Sequence, residues 1–155
     1  MVVEVDIQIV SPVDAASIPG KKSITQWVMS ALPERDNAEL TVRIVGKAEI
    51  TQLNQTYRHK NQPTNVLSFP FDVPNVVPDC YLLGDIVICA DVVALEAKNQ
   101  KKTLESHWAH MVVHGVLHLL GYDHQIDEDA ELMEALEVKT LALLGYANPY
   151  LGAIP

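Results

Sequence analysis

Cysteines, basic residues and long apolar runs are what this sequence has least of. Cys80 and Cys89 are the only cysteines among 155 residues. Two are too few for a disulfide framework, and their spacing suits no zinc ribbon, so free thiols in a reducing cytoplasm are expected. No apolar run approaches the ~20 residues needed to cross a bilayer. The opening "MVVEVDIQIV" alternates apolar and acidic residues and lacks a basic start, so it reads as a strand and not as a signal peptide. Bases number 11 against 20 acids, a formal net charge of −9, which argues against a protein that simply coats nucleic acid. The imbalance is uneven: residues 123–155 hold seven acids and one base, whereas 41–60 hold Arg43, Lys47, Arg58 and Lys60 against Glu49 alone. A local anion site and a set of scattered solvated charges are both compatible with that stretch.

What is present is ordinary for one globular domain over residues 1–155, with 48% apolar and 20% charged residues. Val5, Ile7 and Ile9 share one face of a strand, as do Leu40, Val42 and Ile44 of "ELTVRIV". Between them, "SITQWVMSAL" is helical, with Ser23 and Gln26 spaced as a capping box and Pro33 as its stop. Residues 47–58 return to helical spacing through Ile50, Leu53 and Tyr57, placing Arg58 at the C-terminal end and Tyr57 in the core stripe. "PTNVLSFPF" at 63–71 reads as an edge strand between prolines, and "LLGDIVICA" at 82–90 as a buried strand with Asp91 capping the helix after it. Thr103 opens a long apolar helix to about Leu120. Residues 127–145 form a last helix with acids in its first turn, Leu132, Leu136 and Leu143 facing inward, and Gly145 as a stop. The expected fold is α+β: a small mixed sheet of about four strands covered by about five helices.

"HGVLHLLGYDH" at 114–124 carries the chemistry. His114 and His118 are four apart on one helical face. Gly121 can turn the chain back, so that His124 swings in front of the two helical imidazoles. Three nitrogens then converge and leave a fourth position open, the pattern of a catalytic zinc site at the end of a central apolar helix. Zinc comes first, one ion per chain, although nickel, copper and iron also suit imidazole. His107 and His110 share roughly the same stripe and are expected as core or supporting residues. The spacing resembles the metzincin zinc-protease motif except at Gly115, where those proteases carry the glutamate that acts as general base.

With those residues, "LNQTYR" at 53–58, "PTNVLSFPF", "LLGDIVI" at 82–88 and "ALEVKTLALLGYANPY" resemble the YbeY family of bacterial metal-dependent endoribonucleases, also called ribosomal RNA maturation factors. The resemblance covers nearly the whole chain. It implies a cytoplasmic zinc-containing hydrolase of single-stranded RNA, linked to maturation of the small-subunit ribosomal RNA 3′ end and to ribosome quality control. The implied partners are ribosomal RNA and the ribosome or proteins associated with it. His114, His118 and His124 would be the metal ligands, with Arg58 and His114 as catalytic residues. The family usually has Gly where this chain has His59, between Arg58 and Lys60. His59 would narrow a channel, add a cation below neutral pH, or point away.

Zinc can polarise a phosphoryl oxygen and lower the pKa of bound water toward ~7. Arg58 offers a planar cationic fork for phosphate; otherwise it is a surface arginine favoured at a helix C-terminus. Water attack and 2′-hydroxyl attack both remain open and leave different product ends. Asp85 orients a histidine ligand or bonds a turn at Gly84, and Asp123 ligates, orients or forms a turn. Asn65 and Ser68 line a channel or close strand hydrogen bonds. Two other classes stay in view: a metal-dependent hydrolase of another substrate, and a ribosome-associated factor with structural zinc.

Overall fold

The computed structural model describes residues 3–10, 17–33, 37–71, 76–77, 80–123 and 125–151. The chain runs β1 (Val3–Ile9), α1 (Lys21–Ala31), β2 (Asn37–Val45), α2 (Lys47–Arg58), β3 (Val66–Pro70), β4 (Val76–Val77), β5 (Cys80–Cys89), α3 (Ala90–Asn99), α4 (Leu104–Leu119) and α5 (Asp127–Leu143). This is the expected α+β arrangement, with a two-residue β4 added. The sheet order is β1-β2-β5-β3, with β4 also paired to β5. β1 and β5 flank β2 in parallel, whereas β3 runs antiparallel to β5. β5 is therefore central, which explains its apolar run without alternation: Ile86, Val87, Ile88 and Cys89 are all buried.

The pleat divides those residues between two cores. Ile86 and Ile88 join Leu40, Val42 and Ile44 under α1, α4 and α5. Val87 and Cys89 join Val45, Ile50 and Leu67 on the other face, beside α2. α4 is buried almost all round, with Trp108, Val112, Val113 and Val116 fully enclosed, as expected of a central helix. The Thr103 Oγ1 accepts the Ser106 N–H at 3.1 Å and sets its start. At the other end Gly121 takes φ 101°, with the Gly121 N–H on the His118 carbonyl and the Tyr122 N–H on that of Leu117. That pair of bonds is a Schellman turn, and it reverses the chain where the histidine spacing required it.

Four local expectations fail. α1 begins at Lys21 with Gly20 as its cap, so Ser23 lies inside the helix and makes no capping box. α3 is capped at Cys89, and Asp91 falls in its first turn, where its charge still suits the dipole. Tyr57 is 62% exposed, because Leu53 and Ile50 already fill the space beneath α2. On α5, Leu132 and Leu143 are exposed, and the inward face is Met133, Glu137, Thr140 and Leu141. That rotation brings an acid into the core.

Gly115 lies where α4 packs tightly on the sheet. A Cβ there would lie 2.8 Å from Ile86 Cγ2, below any ordinary carbon contact. Ile86 is fully buried, and its Cγ2 is a methyl fixed on the branched Cβ, so it has little room to yield. Alanine would gain about 1 kcal/mol of helix propensity but overpack the site by about 1–3 kcal/mol. Gly115→Ala is therefore expected to lower unfolding stability by about 1 kcal/mol net. Urea midpoints of the two proteins check this, and a stabilised variant would show that the helix can lift off β5.

Candidate metal centre

Four histidines, His107, His110, His114 and His118, climb one side of α4 at spacings of three, four and four. Their rings follow one another at centroid distances of 6.1, 6.2 and 4.7 Å. The row is graded in exposure: His107 is 2% and His110 7% exposed, whereas the His114 side chain reaches 18%. His118 is likewise partly exposed. The inner two are buried and the outer two are accessible at the end of the helix.

Carboxylates anchor the row. His107 Nε2 lies 2.9 Å from Glu96 Oε1, and Asn65 Nδ2 donates to the same carboxylate at 3.1 Å. Glu137, fully buried on α5, is the larger anchor. Its Oε1 takes His110 Nε2 at 2.7 Å and His114 Nδ1 at 3.0 Å, and its Oε2 accepts the Tyr150 hydroxyl at 2.7 Å. Burial alone would raise the Glu137 pKa, but the hydrogen bonds and charges of His110 and His114 outweigh it and hold the value at about 2. Burial also lowers the His110 pKa, against the pull of Glu137.

A histidine that donates through Nδ1 to a carboxylate carries its lone pair on Nε2. This is the tautomer of a metal-binding imidazole with an orienting acid behind it. His114 meets that description, and the His118 ring lies beside it at 4.7 Å. The donor set fits a borderline-soft cation such as zinc. His124, the third expected ligand, lies outside the described residues.

Among the described residues, His110, His114 and Glu137 also form a group whose potential ligand atoms lie within 4.8 Å of one another. Ligand atoms around tetrahedral zinc are ~3.4 Å apart, given bonds of ~2.1 Å. The 2.7 and 3.0 Å separations are instead hydrogen-bond lengths, and the carboxylate has no exposed side on which an open position could stand. The geometry is that of a support behind His114.

The remaining candidates disperse. Ser68 Oγ donates to the Gly115 carbonyl at 3.0 Å and ties β3 to α4. The Asn65 Oδ1 accepts the Val66 N–H at 2.7 Å, so both side chains close structural bonds. Asp85 neighbours Ile86, which packs against Gly115, and so points to the opposite face, away from the histidines. There it lines a cleft of about 660 Å³ with Arg43, Glu49, Tyr57 and Phe69. Gly84 lies inside β5 and not in a turn. Asp123 follows the Gly121 turn and is partly buried.

Arg58 is exposed at the last position of α2. α2 and α4 flank opposite faces of the sheet but meet β3 from either side, through Tyr57 on Phe69 and Ser68 on Gly115. Of the four bases in 41–60, Arg43 is held by Glu49 at 2.6 and 3.0 Å, and Lys47 opens α2, roughly 16 Å from its end. The basic patch is thus Arg58, His59 and Lys60. His59 takes the left-handed C-cap of α2, φ 59°, a conformation that glycine adopts without strain.

Glu137 is the residue that sequence reasoning missed. It belongs to a helix with acids throughout, and only its spacing of four from both Met133 and Leu141 marks its face.

Two outcomes follow from these geometries. His59→Gly is expected to stabilise the protein by about 1 kcal/mol, measurable as a shift in urea midpoint. Glu137 has a folded pKa of about 2 against an ordinary 4.5, so its charged form contributes stability fully above 4.5. That contribution is lost as pH falls toward about 2. In metal-free protein the urea midpoint should drop more steeply between pH 5 and pH 3 for the parent than for Glu137→Gln. Parallel slopes would show that Glu137 is not held ionised.

A profile of the endoribonuclease YbeY family matches residues 13–145. The solution structure of TM1509 from Thermotoga maritima is similar, with 27% sequence identity and a TM-score of 0.54 over 87% of this chain and 86% of that one. With 133 of 155 residues spanned by the family profile, the chain belongs to the endoribonuclease YbeY family.

Proposed function

We propose that this protein is a zinc-dependent endoribonuclease that cuts single-stranded RNA in the cytoplasm. In this reading it matures the 3′ end of small-subunit ribosomal RNA and takes part in ribosome quality control with the ribosome or its associated proteins. The observation that carries the metal reading is the 3.0 Å contact of His114 Nδ1 with the buried Glu137 carboxylate, which sets one imidazole for a cation beside His118. Family membership supplies the reaction class.

His114, His118 and His124 would hold the ion, one per chain. Zinc, when bound, supplies Lewis acidity toward a phosphoryl oxygen and makes water more acidic. Glu137 keeps the His114 ring in one orientation and one tautomer. Gly115 supplies no base: any side chain at that position would run into Ile86, so a protease mechanism of the metzincin type has no acid to use.

Arg58, at the rim of the sheet, takes a backbone phosphate of the RNA. β3 ends the sheet order, so a single strand can pass from Arg58 around this edge toward α4 without crossing the sheet. A stiff duplex would have to bend sharply to do the same, which supports single-stranded substrate. The net charge of −9 and the small size of the Arg58–Lys60 patch favour delivery of RNA by a ribosomal partner over tight unaided binding.

Purified parent and His114→Ala proteins, with metal content counted, should be incubated with end-labelled single-stranded RNA. Cleavage by the parent alone, with one metal per chain, is expected; equal cleavage by both would assign the activity to a contaminant. Fragments with 3′-hydroxyl and 5′-phosphate ends mean water attack, and cyclic or 3′-phosphate ends mean attack by the 2′-hydroxyl. Arg58→Ala should keep its metal and weaken RNA cleavage at low substrate by ~10-fold or more, the value of a lost charge-assisted hydrogen bond. Unchanged binding and cleavage would remove Arg58 from the site.

A further inference from the structure

After α5 the chain turns back on itself. Gly145 takes φ 92°, and the Tyr146 N–H bonds the Leu141 carbonyl at 2.8 Å, a second Schellman turn. Asn148 Oδ1 then accepts the Tyr150 N–H at 2.8 Å, forming an Asx turn around Pro149. Lys102, from the connection between α3 and α4, donates Nζ to the Pro149 carbonyl at 2.7 Å. These bonds set the Tyr150 ring edge-on to His110, with centroids 5.4 Å apart at 83°. The hydroxyl reaches Glu137 Oε2 at 2.7 Å.

That contact divides the labour on one carboxylate. Oε1 serves His110 and His114, and Oε2 is taken by Tyr150. Rotation of the carboxylate about Cγ–Cδ moves both oxygens, so the Tyr150 bond on Oε2 adds to the two on Oε1 in holding its plane, and the same hydroxyl lies 3.3 Å from His110 Nε2. The end of the segment is otherwise little buried, since Tyr150 is 45% and Leu151 70% exposed. The hydroxyl bond is thus no by-product of burying the ring.

We propose that Tyr150 is a positioning residue for the metal ligand His114, acting through Glu137, and that Lys102 latches the segment that carries it. The inference rests on the reading of His114 as a metal ligand. The first layer behind a metal-bound histidine is Glu137; Tyr150 forms a second layer, delivered by a stretch that lies after the last helix. It makes the metal affinity depend on how that segment is seated.

Affinity for zinc(II) can be measured by competition with a chromophoric chelator on parent, His114→Ala, Tyr150→Phe and Lys102→Met proteins. Ile50→Val serves as the control. Ile50 is fully buried in the smaller core on the opposite face, so its loss of stability should leave zinc affinity unchanged. Tyr150→Phe keeps the ring and loses the hydroxyl, and should bind zinc about tenfold more weakly. Lys102→Met should give a smaller loss in the same direction. Parent-like affinity in Tyr150→Phe would overturn the inference and leave the metal reading intact. If Tyr150→Phe does not fold, parent-like affinity in Lys102→Met overturns it instead. A parent that binds zinc no better than His114→Ala would overturn the metal reading, and the inference with it.

Discussion

An ionised carboxylate with no exposed surface is the constraint on which this structure turns. Burying a charge without partners would cost several kcal/mol, so Glu137 is stable only where donors converge on it. Three donors come from two separated places: His110 and His114 on α4, and Tyr150 beyond α5. Meeting that demand fixes the register of α5 against α4. Met133 and Leu141, one turn either side of Glu137, complete the same face as ordinary core residues. The carboxylate thereby turns a packing problem into an oriented imidazole.

α4 can carry the site because every side of it has a distinct assignment. One side is apolar and buried, Gly115 lets it settle against Ile86, and the histidine row occupies what remains. Along that row the environment changes from enclosed to accessible, so identical side chains take different roles. His107 and His110 are pinned to carboxylates inside, and His114 spans the boundary. Its Nδ1 is turned inward to Glu137, while its side chain stays partly exposed. The turn at Gly121 then ends the helix at the accessible end. The sheet contributes through its asymmetry: α1, α4 and α5 build the main core on one face, and α2 stands beside a shallower core with an open cleft on the other. β3, the narrow edge between them, brings the Arg58 end of α2 and the histidine end of α4 to the same border.

Much of this was legible in the sequence, and for identifiable reasons. Strict alternation in "ELTVRIV", the unbroken run of β5 and the Thr103 cap each rest on local geometry, and each took the expected form. The spacing of His114, His118 and Gly121 gave the helix and its reversal because a Schellman turn needs glycine at that place. What escaped was set by tertiary context. Nothing local separates Glu137 from Glu134 or Glu131 on an acidic helix; only its place between Met133 and Leu141 does. Tyr57 lay on a helical stripe, yet Ile50 and Leu53 already fill the space beneath α2, and its ring stays exposed against Phe69. Asp85 alternates with Ile86, and its face could be assigned only once Ile86 was seen to meet α4. Tyr150 lies outside any periodic element and carried no signal beyond its proximity to Pro149.

The central claim is that Glu137 orients His114 for a metal held with His118, and is not itself a ligand. The direct test is a zinc(II) titration of His118→Ala and Glu137→Gln beside the parent, reading stoichiometry and affinity together. The account predicts that Glu137→Gln still binds one zinc per chain, with affinity reduced about 10- to 100-fold, whereas His118→Ala loses the site. Full loss of the metal in Glu137→Gln with parent-like binding in His118→Ala would contradict it, placing the ion among His110, His114 and Glu137 instead.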